Sequence, residues 1–345
     1  MSHSGREVQL HSYPNGEVRT ADFQVVEAAV RDPRPGEVLV RNTWTSVDPG
    51  LRLRLNETSP AGYFAAFPLD AAMDGIMTVG QVVESSADGF EAGDTVWHAS
   101  GWREYAVVDA ATPALSGLGT LTRLDTEAAA AESYLGPLGA MGLTAWAGLF
   151  EAAALRDGDV VWVAAAAGAV GSLAAQFAKL SGHRVIGSAG SDDKVTYLLD
   201  ELRLDAAFNY KKAPLAALLR ESAPDGIDVY FDTVGGDHLE AALGALRRHG
   251  RVALCGAISQ YENHGPAHGP SNLFQATAND LTLRGFRGSS NLHRMQTMQK
   301  QVGEWLRDGQ LVYRTTVVDG LERAPEALVR VLSGDTVGKT LVRIA

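Results

Sequence analysis

The sequence contains a single cysteine, Cys255, in 345 residues. One cysteine cannot form an intramolecular disulfide and cannot supply a zinc site made of four cysteines. Cys255 lies in the apolar run RVALCG, which is typical of a buried strand, and no histidine or lysine that would activate its thiol is recognisable beside it. We therefore interpret Cys255 as a packing residue of a strand, and we expect no metal site.

The sequence also lacks long apolar runs and an excess of positive charge. No run approaches the roughly 18 apolar residues of a membrane-spanning helix, and the N-terminal segment MSHSGREVQLHSYPNGEV lacks the apolar stretch of a signal peptide. The formal net charge is −11, so no basic surface is expected to neutralise nucleic-acid phosphates. We expect a cytoplasmic protein whose partners include neither nucleic acid nor a membrane.

The length and composition predict about two domains, each with a core of its own, because 46% of the residues are hydrophobic. From Asp159 onwards strand-like and helical patterns alternate, and the run LEAALGAL at 239–246 has the apolar spacing of one helix face. This alternation predicts an α/β domain with a doubly wound parallel sheet over residues 125–312. Its predicted strands are Val160–Ala164, Arg184–Ser188, Ala206–Asn209, Ile227–Asp232, Arg251–Gly256 and Leu281–Phe286.

The first 120 residues or so show a different pattern, with short β-like runs separated by turn signals such as Pro35-Gly36. They predict a β-rich domain over residues 1–124. The C-terminal segment 313–345 ends in the strand-like run Lys339–Ile344 and is predicted to return to that domain, whereas the loop His264–Pro270 is predicted to be a flexible insertion. The predicted strands of the first domain are Val38–Asn42, Val79–Glu84, Asp94–His98 and Tyr105–Val108.

The segment from Asp159 to Lys194 has the order of a dinucleotide-binding unit, with a strand, a small-residue turn, an amphipathic helix and a second strand. The turn carries Ala166-x-Gly168-x-x-Gly171. Gly168 lets the backbone approach a pyrophosphate, Gly171 lets the helix pack close to its strand, and the helix N-terminus attracts phosphates. Because alanine replaces the first glycine, an ordinary turn between strand and helix is the alternative for this motif alone.

The end of the second strand favours NADP(H) over NAD(H). Sites that prefer NAD(H) place an acidic residue about 20 residues beyond the glycines, where it binds the ribose 2′-hydroxyl. Here the run GSAGS at 187–191 is followed by Lys194, and a small polar turn with an ammonium group accommodates a 2′-phosphate. We expect Asp192 and Asp193 to cap the next helix. A solvated helix lysine is the alternative for Lys194.

Longer motifs in a preserved order extend this interpretation to nearly the whole chain. They include VDPGLR (47–52), GDTVWHASGWREYAVV (93–108), LGPLGAMGLTAWAGL (135–149), FNYK (208–211), DVYFDTVGG (228–236) and CGAISQYEN (255–263). With these motifs the chain resembles the zinc-independent branch of the medium-chain dehydrogenase/reductase superfamily, which contains prostaglandin reductases, leukotriene hydroxydehydrogenases and alkenal double-bond reductases. The resemblance implies a Rossmann-type domain, a β-rich GroES-like domain, NADP(H) as the cofactor and no zinc.

The resemblance also implies which residues bind NADP(H). This chain contains counterparts of four parts of the family's cofactor site. They are the pyrophosphate loop, the 2′-phosphate contacts, the strand end and loop beside the cofactor, and the segment that meets the nicotinamide carboxamide. Two asparagines of the family pattern are threonines here. The predicted cofactor-binding residues are Gly168, Ala169, Val170, Gly171, Lys194, Tyr210, Thr233, Cys255, Gly256, Ala257, Ile258, Ser259, Gln260, Tyr261, Phe286, Arg287, Gly288 and Thr336.

The substrate side of the family pattern is altered in this chain. One family tyrosine is Gly50 here, and a second one, which some members use at the enolate, is Ala278. The motif Gly62-Tyr63-x-x-x-Phe67 still matches a family segment beside the active cleft. Tyr63 is therefore the predicted catalytic hydrogen-bond donor, and an ordinary packing tyrosine is the alternative.

Three aromatic residues of the GDTVWHASGWREYAVV motif are further candidates. Trp102 and Tyr105 are predicted to contact the substrate, although a tryptophan in a β-rich domain often belongs to the core. His98 follows a strand, and we expect it to be a structural histidine whose ring nitrogens are hydrogen-bonded, in preference to a contact with a substrate carbonyl.

The activity that the resemblance implies is reduction of the C=C bond of an α,β-unsaturated ketone or aldehyde by NADPH. Hydride goes to the β-carbon, and negative charge develops on the carbonyl oxygen of the enolate. This chemistry requires no metal as a Lewis acid. The donor to that oxygen could be a ribose hydroxyl of the cofactor, a tyrosine or water. The alternatives are a quinone oxidoreductase and a non-catalytic NADPH-binding protein with a structural or sensing role.

A homodimer is expected from the same resemblance and from the predicted strand Leu281–Phe286. This apolar strand is predicted at a sheet edge, and an unpaired edge strand tends to be covered. Continuation of the sheet across a two-fold axis would cover it.

Overall fold

The structure is a computed structural model, and it describes residues 3–116, 119–262 and 269–344. This part of the chain folds into two compact units, Met1–Gly136 with Thr315–Ala345, and Pro137–Arg314. The first boundary follows residue 136 and not residue 124, because the short 3-10 turn Ala131–Leu135 packs against strands of the first unit. Residues 264–268 of the predicted flexible loop lie outside the described residues.

The N-terminal part of the first unit is antiparallel and β-rich. A central strand, β3, pairs with β4 on one side and with β6 on the other, and β5 and β7 extend the sheet beyond β4. Alternate residues of these strands face a small buried core that contains Val38, Val40 and Val82. The strands are β1 (His3–Leu10), β2 (Phe23–Val30), β3 (Glu37–Val47), β4 (Thr78–Ser85), β5 (Thr95–His98), β6 (Tyr105–Asp109) and β7 (Thr122–Arg123).

The second unit alternates helices and strands, and its described strands pair in parallel in the order β10-β9-β8-β11-β12-β13. β8 has β9 on one side and β11 on the other. Strands are therefore added in one direction from β8 to β10 and in the opposite direction from β11 to β13, and the order reverses between β8 and β11. The elements are α1 (Ala140–Ala147), β8 (Val160–Val163), α2 (Ala169–Leu180), β9 (Arg184–Ala189), α3 (Asp192–Thr196), β10 (Ala206–Asn209), α4 (Leu215–Ser222), β11 (Ile227–Asp232), α5 (Gly236–Ala245), β12 (Leu246–Leu254), α6 (Phe274–Ala278), β13 (Thr282–Gly285) and α7 (Met295–Arg307).

The central strands of this sheet are apolar because helices cover both of its faces. Trp162 of β8 is fully buried and stacks on Tyr230 of β11 at 4.5 Å between ring centroids. The core on this face includes residues of α4 and α5. The predicted fold class, a Rossmann-type doubly wound sheet and a separate β-rich domain, is confirmed.

One detail of the predicted pattern is wrong. Leu246 was placed on the helix face of the run LEAALGAL, but α5 ends at Ala245 and Leu246 takes an extended backbone with ψ 129°. It pairs with Ile227 as the first residue of β12. Its side chain packs in the same core as the helix residues, so apolar spacing alone could not separate the two conformations.

The C-terminal segment belongs to the first unit. It consists of β14 (Thr315–Asp319), α8 (Ala324–Leu332) and β15 (Lys339–Arg343). β15 pairs in parallel with β14 and antiparallel with β3, which places it inside the sheet of that unit. Among the described residues, no helix has both the length and the apolar character needed to cross a membrane.

Candidate active site

The turn between β8 and α2 presents backbone N–H groups at the start of a helix. Gly168 precedes α2 with an extended backbone (φ −84°, ψ 174°), and no described side chain caps the helix. A β-carbon on Gly171 would collide with the carbonyl oxygen of Ala165 and would lie 3.0 Å from Cα of Ala166. The first N–H groups of α2 therefore have no intrahelical acceptor and form a site that suits a pyrophosphate.

This turn contains a strained residue that the motif did not reveal. Ala165 has a φ of 45°, in the left-handed region that residues other than glycine adopt at a cost of about 1–2 kcal/mol. Such strain persists where the surrounding structure holds it, often at functional sites. The left-handed residue of this tight turn is thus Ala165. Its neighbour Ala166, at the position of the first glycine in the dinucleotide pattern, is fully buried.

Lys194 and Tyr210 lie at the carboxyl end of β9. A β-carbon on Gly190 would lie 3.0 Å from the hydroxyl oxygen of Tyr210, so the missing side chain lets the Tyr210 ring lie across the strand end. Lys194 is in the first turn of α3, and its N–H donates to the Ser191 hydroxyl at 3.4 Å. The structure thus places the Lys194 amide and the Tyr210 hydroxyl near the same strand end, and their binding of a 2′-phosphate stays a prediction.

The expected role of the two aspartates beside Lys194 needs correction. The side chain that caps α3 is Ser191, whereas Asp192 and Asp193 occupy the first helical turn. Asp192 accepts a hydrogen bond from Asn209 (2.8 Å) and pairs with Lys212 (2.6 Å). The hydrogen bond from Asn209 and the pair with Lys212 hold the pKa of the Asp192 carboxyl below its usual value. Its charge is therefore compensated locally.

The loops after β11 and β12 are joined by backbone hydrogen bonds. The amides of Cys255 and Gly256 donate to the Asp232 carbonyl oxygen at 2.8 and 3.1 Å, and the amide of Ser259 donates to the Val234 carbonyl oxygen at 3.2 Å. These two loops contain eight of the 18 predicted cofactor-binding residues, Thr233 and residues 255–261. A cavity of about 300 Å³ adjoins them, and its lining includes Asp232, Cys255, Gly256, Ala257 and Gln260.

Asp232 is a functional candidate that the sequence argument missed. It is buried at the end of β11, and one carboxylate oxygen accepts hydrogen bonds from Val234 N, Gly235 N and Tyr230 Oη at 2.8–2.9 Å. Burial raises the pKa of Asp232, although these hydrogen bonds oppose the shift. A charged residue directly after the run Val229–Phe231 was the available signal. Its contacts show that it shapes the loop before α5.

Two residues of the loop after β12 are kept neutral by their surroundings. Loss of hydration raises the pKa of the Cys255 thiol to about 12, so the thiol stays protonated at neutral pH. Burial also raises the pKa of Tyr261, whose hydroxyl oxygen lies 3.0 Å from the position of a β-carbon on Gly256. Cys255 therefore packs at a strand end and is not a nucleophile, as expected from its sequence context.

The end of β13 explains an unusual glycine. Phe286 meets Phe231 edge-on at 6.1 Å, and its amide donates to the Leu254 carbonyl oxygen at 3.3 Å. A β-carbon on Gly288 would collide with the hydroxyl of Thr144 in α1. The backbone at position 288 can therefore lie this close to α1 only because Gly288 has no side chain. Arg287 between them is exposed.

The predicted donor Tyr63 lies in the first unit, in a segment without regular secondary structure. Its amide donates to the Pro60 carbonyl oxygen at 3.0 Å, and its ring contacts Phe64 with centroids 4.8 Å apart. The hydroxyl points at the 3-10 helix Pro49–Arg54, where it lies beside Gly50. Thr336, also in the first unit, is half-buried between α8 and β15.

Trp102 and Tyr105 are the two predicted substrate contacts. Trp102 is fully buried, and its ring N–H donates to the Ser46 carbonyl oxygen at 3.2 Å. A side chain without accessible surface cannot contact a substrate, so the predicted role of Trp102 is wrong. Tyr105 is half-buried in β6, and its ring lies 5.5 Å from that of His3 in β1. A contact of Tyr105 with the substrate stays a prediction.

His98 is a structural histidine. Its Nε2 lies 2.9 Å from Oδ1 of Asn42, and the amide of Ser100 donates to Nδ1 at 3.1 Å. Burial lowers the pKa of His98 to about 3, so the ring is neutral at physiological pH.

The segment Met73-Asp74-Gly75 shortly precedes β4 and carries a carboxylate. Asp74 forms an ion pair with Arg54 at 2.6 Å. Within the described ranges, no three or more His, Cys, Asp or Glu side chains converge as a group that could hold a metal ion.

Comparisons with known proteins agree with this geometry. Residues 6–115 match a family described as the N-terminal domain of oxidoreductase, and residues 169–305 match one described as zinc-binding dehydrogenase. The chain is 36% identical over 346 residues to an NADP(+)-dependent 2-alkenal reductase of Nicotiana tabacum, covering 99% of this chain and 98% of the relative. It is 37% identical over 316 residues to prostaglandin reductase 1 of Rattus norvegicus, covering 89% of each protein.

A solved structure, CurA of Vibrio vulnificus in complex with NADPH, superposes on the chain with a TM-score of 0.91 at 33% identity, and the match covers 99% of both chains. NADP(H) is the cofactor of this protein, and the uncapped start of α2 and the Gly190–Tyr210 corner fit its phosphates. The protein is an NADP-dependent oxidoreductase, and it belongs to the medium-chain dehydrogenase/reductase family, in the branch that contains the prostaglandin reductases and alkenal reductases.

Proposed function

We propose that the protein reduces the C=C bond of small α,β-unsaturated ketones or aldehydes with NADPH. The observation that carries the proposal is the position of the Tyr63 hydroxyl, which takes space left by the missing side chain of Gly50. A donor thus remains although the family tyrosine at position 50 is absent. The names of the tobacco alkenal reductase and the rat prostaglandin reductase support this class of substrate.

In the proposed reaction Tyr63 donates a hydrogen bond to the carbonyl oxygen of the substrate. When bound, NADPH supplies a hydride for the β-carbon of the double bond. Negative charge then develops on the oxygen that Tyr63 faces, and a hydrogen bond that strengthens with this charge lowers the barrier. The α-carbon of the enolate then takes a proton from water. Cys255 remains a thiol throughout, because its pKa is raised to about 12.

For the cofactor we propose that Lys194 and Tyr210 bind the 2′-phosphate. The ammonium group provides a charge-assisted hydrogen bond, and the phenol hydroxyl of Tyr210 provides a second donor at the same strand end. Asp192 does not oppose this because its carboxylate is paired with Lys212. The first N–H groups of α2 bind the pyrophosphate. The remaining predicted contacts belong to the loops after β11, β12 and β13, except Thr336, which lies in the first unit.

We also propose a homodimer in which β13 pairs with its counterpart in a second copy. β13 ends the strand order of the described sheet. The helix that precedes it leaves two apolar residues in solvent, Leu273 (54% exposed) and Phe274 (75% exposed). Light scattering should give the dimer mass, and Phe274→Glu should lower it. Val312→Glu, at a residue that is 39% exposed, is the matched control. A monomeric mass for the unmodified protein would contradict the dimer.

Steady-state oxidation of NADPH separates the proposed function from its alternatives. A medium-chain enone, a medium-chain enal and a benzoquinone are compared at equal concentrations. We expect the enone or enal to give the higher kcat/KM. A dominant rate with benzoquinone would favour a quinone oxidoreductase. Tight NADPH binding without turnover of any of the three would favour a structural or sensing role.

A further inference from the structure

The segment Ser59–Phe67, which carries Tyr63, has no regular secondary structure. Its position is therefore set by individual contacts, and several of them come from one buried residue, Arg54. We propose that Arg54, held by Asp74, is a positioning residue for the Tyr63 hydroxyl. This inference rests on the proposed function, in which Tyr63 is the donor to the substrate oxygen.

Arg54 holds the segment on the C-terminal side of Tyr63. Its Nε donates to the Ala65 carbonyl oxygen at 2.7 Å, and its own carbonyl oxygen accepts from the Phe67 amide at 2.9 Å. The guanidinium also lies 3.8 Å from the centroid of the Phe67 ring, within the range of a cation–π contact. The side chain of Arg54 thus holds one backbone carbonyl and one ring within four residues of Tyr63, and its backbone carbonyl holds a second backbone position.

Asp74 fixes the direction in which the guanidinium points. Its two carboxylate oxygens accept from Nη1 and Nη2 of Arg54 at 2.6 and 2.7 Å, a bidentate pair. Arg54 is only 4% exposed, and a buried charge is tolerated when it is paired and hydrogen-bonded. With Nη1 and Nη2 paired to Asp74, the N–H of Nε is directed at the Ala65 carbonyl oxygen. A lysine cannot make both interactions at once because it lacks the planar fork.

The helix Pro49–Arg54 joins this anchor to the space that Tyr63 uses. Gly50 and Arg54 belong to the same 3-10 helix, which begins with a proline as helices commonly do. Gly50 leaves room for the Tyr63 hydroxyl. Arg54 holds the segment Ser59–Phe67, which contains Tyr63. The hydroxyl is therefore located relative to one rigid element, and a positional error of about 1 Å in a catalytic group can reduce turnover by roughly 100-fold.

The test is a double-mutant cycle on turnover with an enone. Arg54→Lys should lower kcat by about 10-fold, and by no more than Tyr63→Phe does, with the KM for NADPH unchanged. In the Tyr63→Phe background the same substitution should have almost no further effect. Arg6→Lys is the matched control, because Arg6 makes an ion pair with Glu104 in the same unit at 2.7 Å and should leave kcat unchanged. Wild-type kcat in Arg54→Lys, or equal losses in both backgrounds, would overturn the proposal.

A measurement without turnover keeps this inference separate from the proposed function. Hydrogen exchange of peptides that cover residues 59–67 should become faster in Arg54→Lys and stay unchanged in Arg6→Lys. If Arg54→Lys does not fold, Asp74→Asn is used in both measurements and should give the same pattern. Faster exchange with no enone turnover in the wild type would mean that the proposed function fails while the anchoring stands. Unchanged exchange would refute the anchoring itself.

Discussion

The hydroxyl oxygen of Tyr63 lies 2.5 Å from the position that a β-carbon would take on Gly50. No side chain larger than hydrogen fits at position 50 while Tyr63 keeps this position. At position 50, where the family resemblance implies a tyrosine, the chain has a glycine, and the Tyr63 hydroxyl lies in the space beside it. The residue at position 50 and the position of the Tyr63 hydroxyl therefore depend on each other, and substitutions at the two positions should have coupled effects on turnover.

Tyr63→Phe removes the donor without changing the volume of the ring. Removal of one donor from an oxyanion site costs about 100- to 1000-fold in turnover, and a ribose hydroxyl and water can replace part of this donor. We expect kcat to fall by roughly 10- to 100-fold with the affinity for NADPH unchanged. Tyr134→Phe, which removes a hydroxyl that donates to the Asp125 carbonyl oxygen at 2.8 Å, is the control. Wild-type turnover in Tyr63→Phe would mean that Tyr63 only packs.

Gly50→Ala should displace the Tyr63 hydroxyl. The clash involves the end of a side chain that can move, so the free energy of unfolding should change by no more than about 1 kcal/mol. We expect kcat to approach that of Tyr63→Phe. In the Tyr63→Phe background the nearest atom to the new methyl group is the ring carbon at 3.7 Å, an ordinary contact. Gly50→Ala should then reduce kcat no further, and an additive loss would contradict the pairing of the two residues.

Lys194→Ala should weaken NADPH binding selectively. Loss of a charged hydrogen bond costs about 1.5–3 kcal/mol, which corresponds to roughly 10- to 150-fold in affinity. The affinity for NADH, which lacks the 2′-phosphate, should barely change. Lys179→Ala is the matched control, because Lys179 lies in the last turn of α2, is paired with Asp205 at 2.6 Å and should not affect cofactor choice. Equal losses for NADPH and NADH would refute the assignment of Lys194.

Acidification should destabilise the fold through its buried neutral histidines. Burial lowers the pKa of His98 to about 3 and that of His238 to about 4. Below about pH 6.5 these histidines become protonated in the unfolded chain but stay neutral in the folded chain. The free energy of unfolding therefore falls as the pH drops from about 6.5 towards 4. Each such histidine contributes a slope of about 1.4 kcal/mol per pH unit in that window.

Urea unfolding at several pH values measures this slope. His98→Gln should reduce the slope by about 1.4 kcal/mol per pH unit between pH 4 and 6. His11→Gln, at an exposed residue, should leave it unchanged. An unaltered slope in His98→Gln would show that His98 is not held neutral.

The convergence of the proposed cofactor residues could be predicted from the sequence, because it follows from the topology of the parallel sheet. Lys194, Tyr210 and Cys255 are distant in sequence, but each follows a parallel strand, and the carboxyl ends of such strands meet at one sheet edge. The position of Tyr63 beside Gly50 could not be predicted, because the segment that carries Tyr63 has no periodic pattern. Trp102 was misassigned because a tryptophan in a β-rich motif gives no signal that separates core from pocket.

The most direct test of the central claim follows the hydride itself. The enzyme is given a medium-chain enone and NADPH carrying deuterium at the transferable position of nicotinamide C4, and the product is examined by NMR. Conjugate reduction predicts a saturated ketone with deuterium on the β-carbon, formed about 10- to 100-fold more slowly by Tyr63→Phe. An allylic alcohol with deuterium on the former carbonyl carbon, or no deuterated product at all, would contradict the account.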